Sequence, residues 1–171
     1  MRGNPSRLVQ GSSVQDIEVI EPNADGKDFD TLAKSVRKAI ESNEPEAGLD
    51  RLHTFLVKYV RVLCEKNGIE TGREKPLHSL FGEYIKRLRR SGLIESEMAE
   101  RILKSSISIL EAFNEVRNKH SFAHDNPMLS YNESLLIFNN VASSIRFIAA
   151  LEESSGQNRK RRAERDDDIP F

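Results

Sequence analysis

The sequence lacks most of the features that point directly to a chemistry. It has one cysteine and no tryptophan, and a single cysteine excludes an internal disulfide framework and a cysteine-built metal cage. Cys64 lies inside the apolar run "FLVKYVRVLC", so a buried, inert thiol is expected. Charge of one sign is also missing: 26 Lys and Arg stand against 27 Asp and Glu, leaving a net charge of -1 and a pI near 6.5. No global field draws the chain to nucleic acid or an anionic membrane, and any such contact must come from a local patch. No apolar stretch approaches the roughly 20 residues that span a bilayer. The opening "MRGNPSRLVQGSS" has no hydrophobic segment of a signal peptide. No membrane contact and a cytoplasmic location are therefore expected.

What is there is helical spacing. At 171 residues and 37% hydrophobic content, the chain suits one domain with a real core. Residues 1–27 read as a flexible N-terminal arm, whose one alternating piece, "VQDIEVIE", has no second strand nearby. From Asp28, apolar residues recur at Phe29, Leu32, Val36 and Ile40 until "SNEPEAG" breaks the pattern. Pro45 then opens a helix carrying Leu49, Leu52, Leu56, Tyr59, Val60 and Leu63, with Gly68 as its C-terminal cap. Pro76 precedes a third helix with Leu77, Leu80, Phe81, Tyr84, Ile85 and Leu88 on one stripe, ended by Ser91-Gly92. Ser96 is the expected N-cap of a fourth, with Ile102, Ile109, Leu110, Phe113 and Val116 assigned to its inner face. A last helix runs from about Tyr131 to Glu153. Short connections between helices predict an all-α antiparallel bundle over residues 28–153. Residues 154–171 lose the periodicity and read as a disordered tail, basic and then acidic.

The stretch "RNKHSFAHD" closes the fourth helix. Arg117 follows Phe113 by four residues and Leu110 by seven, so it continues an apolar stripe to the end of the bundle, where a charge must be paired or solvated in a cleft. The turn through Asn126-Pro127 brings His124 back toward that end. On residue types alone, Arg117 and Lys119 could simply complement a helix dipole while His120 and His124 decorate a loop. His53 reads as a satisfied interior histidine and His78 as a first-turn residue; neither has a second His or Cys at ligand spacing, so no structural zinc and no cofactor are expected.

The arginine, the asparagine after it and the histidine seven positions on resemble the motif of HEPN ribonucleases. The stretches "LDRLHTFLVKYVRVLCEKNGI", "KPLHSLFGEYIKRL", "LIESEMAERILKSSISILEAFNEVRNKHSFAHDNP" and "LLIFNNVASSIRFI" resemble the C-terminal domain of bacterial abortive-infection proteins, a HEPN-type group, across residues 32–151. The resemblance implies a helical bundle, a homodimer whose two motifs share a composite cleft, and metal-independent cleavage of RNA, with Arg117 and His124 catalytic. Asn118 would orient phosphate or histidine. His120 would be a second acid-base group or a bystander, and Lys119 an RNA-phosphate contact. These residue types suit the reaction: RNA brings its own 2′-hydroxyl nucleophile, a histidine moves protons near neutral pH, and an arginine always offers a charged fork to phosphate.

The chain ends "RKRRAERDDDIPF". Asp166, Asp167, Asp168, Ile169, Pro170 and Phe171 resemble the acidic C-terminal tip of bacterial single-stranded-DNA-binding protein. The resemblance implies DNA replication or repair enzymes with tip-reading pockets as partners. An acidic end that merely balances the basic run is the plainer reading. Two functions follow: an endoribonuclease of an abortive-infection system whose tail recruits such enzymes, or a non-catalytic adaptor or decoy that competes for their pockets.

Overall fold

A computed structural model of the chain describes residues 26–120 and 129–167, which form five helices and no strand. They are α1 (Gly26–Glu41), α2 (Pro45–Lys66), α3 (Leu77–Arg90), α4 (Glu97–His120) and α5 (Tyr131–Asp167). The residues expected to be buried on α1, α2 and α3 are buried and merge with α4 and α5 into one apolar core. α2 is central: it packs against all four other helices.

The first three helices stop in the same way, which keeps the bundle's turns short. Asn43, Gly68 and Gly92 each take a left-handed backbone, at φ of 62°, 69° and 72°. The amide one residue further on reaches back to the last turn: Glu44 N–H to Ala39 C=O at 2.9 Å, Ile69 N–H to Cys64 C=O at 2.9 Å, and Leu93 N–H to Leu88 C=O at 3.0 Å. These bonds satisfy carbonyls that a helix end leaves orphaned. Starts are equally local. Pro45 opens α2, the Ser96 hydroxyl accepts Met98 N–H at 3.1 Å, and Ser130 and Glu133 cap each other reciprocally at the start of α5. Gly48 lets α1 and α2 approach closely, since a Cβ there would lie 3.0 Å from Val36 O.

Two expectations change. The inner face of α4 is Leu103, Ser106, Ile107, Leu110 and Phe113, whereas Ile102, Ile109 and Val116 point outward. Apolar residues occupy two faces of this helix, and periodicity alone cannot say which one meets the core. In addition, α5 does not end at Glu153 but stays helical to Asp167: Gly156 does not take the left-handed backbone of Gly68 and Gly92, and "QNRKRRAER" is rich in good helix formers. Glu152 marks that edge: its carboxylate accepts Tyr84 Oη–H at 2.7 Å and Asn67 Nδ2–H at 3.4 Å, tying α5 to α3 and to the end of α2.

α5 is also long and apolar enough, by length and composition, to cross a membrane, contrary to the sequence expectation. However, 44% of that apolar window is buried inside the bundle, where Phe138, Val141, Ala142, Ile145 and Ile148 join the core, and a core helix passes the same test.

Replacing Leu52, fully buried on the central helix, by alanine should cost about 2–5 kcal/mol, read as a lower urea midpoint with an unchanged m value.

Candidate active site

Arg117 lies in the last turn of α4 and reaches across to α2. Its Nη1 meets Asp50 Oδ1 at 2.8 Å, while its Nη2 donates to Asn118 Oδ1 at 3.2 Å and Asn114 Oδ1 at 3.4 Å. Its Nε is enclosed and has no hydrogen-bond partner among the described residues. Both partners of the ion pair remain partly exposed, at 37% and 41%, so the pair contributes little to stability. What it does is fix the direction of a planar, permanently charged fork at an open edge of the bundle.

One helical turn beyond Asp50, His53 is half-buried. Burial lowers its pKa from the ordinary 6.5; the carboxylates of Asp50 and Glu111 oppose that shift and Arg117 adds to it. Glu111 also meets His78 Nδ1 at 3.5 Å. Side chains from α2, α3 and α4 thus form a run of alternating charge and imidazole ending at Arg117.

Sequence reasoning found Arg117 and missed Asp50, Glu111 and His53 as its neighbours. The available signal was an acid and a histidine three residues apart, "DRLH", beside the buried stripe of α2. Asn118 bonds Arg117 itself. Lys119 pairs with Glu115 at 2.6 Å on the exposed side of α4 and, through that bond, holds the Glu115 carboxyl below its usual range. His120 is the last residue of α4, and Asp166 and Asp167 are the last two of α5. His124, Asp168, Ile169, Pro170 and Phe171 lie outside the described residues. Among the described residues, no three His, Cys, Asp or Glu side chains are grouped to hold a metal ion.

The position of Arg117 relative to α5 follows from the α4–α5 pairing. Ser106 and Ser144 share a hydrogen bond of 2.6 Å, and a groove of about 330 Å³ is lined by Ala99, Ile102 and Leu103 on α4 and by Asn140, Ser143, Ser144 and Phe147 on α5. Ser106 lies 14 residues before the end of α4 and Ser144 13 after the start of α5, so the two helices fold back on each other antiparallel. Arg117 is level with the first turn of α5.

A family model described as a HEPN-like domain, Abi_C, matches residues 30–152. The chain belongs to this HEPN-like family. No curated protein and no solved structure matches it. The HEPN-like domain takes in the Asp50–Arg117 pair, stops at Glu152 where α5 leaves the bundle, and excludes the rest of that helix.

The His53 shift fixes a sign. Above pH 6.5 the imidazole is neutral in both the folded and unfolded chain; as pH falls below 6.5, the unfolded chain takes up the proton first, so stability is lost toward the folded pKa. Unfolding midpoints measured in steps below pH 6.5 should fall, and His53→Gln should flatten that part of the profile.

Proposed function

We propose that this protein is a metal-independent endoribonuclease of an abortive-infection system, acting through Arg117 and His124. The observation that carries the reading is the Arg117 guanidinium, held by Asp50 and Asn118 at an open edge of a HEPN-like bundle. There it can bind the phosphate to be cut and stabilise the charge gathering on it. The RNA 2′-hydroxyl gives its proton to His124 as its oxygen attacks phosphorus. The P–O5′ bond breaks, and O5′ takes a proton from a general acid, a role open to His120 or to the second copy's motif. The products are a 2′,3′-cyclic phosphate and a 5′-hydroxyl. Burial lowers the pKa of His53, which lies near Asp50 and Arg117, so it adds less positive charge beside the fork than an exposed histidine would.

A homodimer is part of the proposal, and the outer face of α4 supports it. Met98, Ile102, Ser105, Ile109, Ala112 and Val116 are all exposed and step by four and three residues, the spacing of a coiled-coil seam. Met98 and Ile102 are 63% and 52% exposed. The seam runs up to Val116, beside Arg117, so a second copy seated near that end would complete a composite cleft. The tip-like sequence Asp166 to Phe171 begins with the last two residues of α5, and its resemblance to a protein-recruiting tip supports a recruiting role toward replication or repair enzymes.

Arg117→Ala should lower RNA cleavage by two or more orders of magnitude without a comparable loss of stability, and chelator should leave the wild-type rate unchanged. End mapping that finds 3′-hydroxyl products, or full activity in Arg117→Ala, would refute the mechanism. The double variant Ile102→Asp, Ile109→Asp should be monomeric by light scattering and inactive, while far-UV circular dichroism shows that its helices persist.

A further inference from the structure

Past the bundle's edge, α5 continues through residues 154–165 as a helix whose side chains from Gln157 to Arg165 are all exposed. Helical geometry puts Arg159, Arg162 and Arg165 along one face, with Arg161 at its edge next to Glu164 and Lys160 on the other side. Along this helix Arg159 with Arg162, Arg162 with Arg165, and Arg161 with Arg165 are like-sign neighbours at three or four residues, while Glu164 lies three residues from Arg161 and Asp166 four from Arg162. Like-sign pairs destabilise a helix, and a helix that is polar all round normally relies on opposite pairs instead. Arg159 Nη2 donates to Ser155 Oγ at 3.1 Å.

We infer that this arginine face is a docking surface for the phosphate backbone of a nucleic-acid strand. The ligand it fits is anionic, because the three like-sign pairs among these arginines outnumber their opposite pairs with Glu164 and Asp166, and the arginine side chains are all exposed. Guanidinium rather than ammonium dominates, and its planar fork fits phosphate oxygens. A membrane surface is disfavoured: a helix lying in an interface needs an apolar side, and Ala163 is the only apolar residue in the segment. The surface is also separate from Arg117. Since α4 and α5 run antiparallel, Arg117 is level with the first turn of α5, whereas the arginine face lies beyond the start of α4, outside the HEPN-like domain. The inference does not rest on catalysis.

The test is equilibrium binding of full-length protein to 2′-O-methyl RNA, which lacks the 2′-hydroxyl needed for cleavage, and to DNA of the same single-stranded sequence, across a salt series. For the triple variant Arg159→Ala, Arg162→Ala, Arg165→Ala, affinity should fall, and the slope of log K against log salt should become shallower by about 2, from three phosphate contacts at roughly 0.7 each. Alanine is the better helix former, so loss of the helix does not explain weaker binding, and far-UV circular dichroism confirms that it persists. The matching Arg→Lys triple should keep the wild-type slope. Equal loss on both strands identifies the backbone as the ligand; loss on RNA alone adds a ribose contact. An unchanged slope and affinity in the alanine triple overturns the inference. So does wild-type protein that binds phosphatidylserine vesicles but neither oligonucleotide.

Discussion

The burial of α2 is the constraint from which the rest follows. It is the one helix that packs against every other, and Leu49, Leu52, Leu56, Val60 and Leu63 are almost wholly removed from water. A helix committed on so many sides has a fixed rotation about its axis. Asp50 and His53, adjacent to that stripe, therefore have their directions set by the core and not by any local turn. The arginine of α4 finds its carboxylate because both helices are already locked, and the site inherits its geometry from hydrophobic packing.

Such an arrangement decides how the charges at the site behave. An arginine at the end of an apolar stripe would be costly if enclosed alone. Here Asp50 neutralises it on one side, Asn114 and Asn118 take further N–H bonds, and part of the guanidinium remains in solvent. For the proposed phosphate binding, a partly satisfied fork is more useful than a fully satisfied one, because it could exchange some of its contacts for the ligand's. His53 sits in the same field with a depressed pKa, so its imidazole stays neutral to a lower pH than an exposed one.

Much of this was legible in the sequence where the signal is local. The left-handed stops at Gly68 and Gly92, the cap at Ser96 and the buried stripes of α1 to α3 depend on a few neighbouring residues, and each fell where expected. The misassigned features depend on distant partners. Ile102, Ile109 and Val116 obey helical spacing as well as Leu103, Leu110 and Phe113 do, and only the position of α5 selects between the two faces. Asp50 is an ordinary helix acid until α4 crosses it. The tail looked disordered because it lacks an apolar face, but a helix already nucleated in the bundle extends into good formers at little extra cost. Its continuation shows that lost amphipathicity is not by itself a stop signal.

That continuation gives the molecule a length scale. From the level of Arg117, near the start of α5, to Arg159 is a span of roughly 40 Å along the helix at 1.5 Å per residue. On the proposed readings, a short oligonucleotide would occupy one end or the other, and a strand long enough to bridge them would gain from both, since holding it at the first contact raises its effective concentration at the second. The helix would then act as a ruler, favouring long, unstructured strands over short fragments without reading a single base.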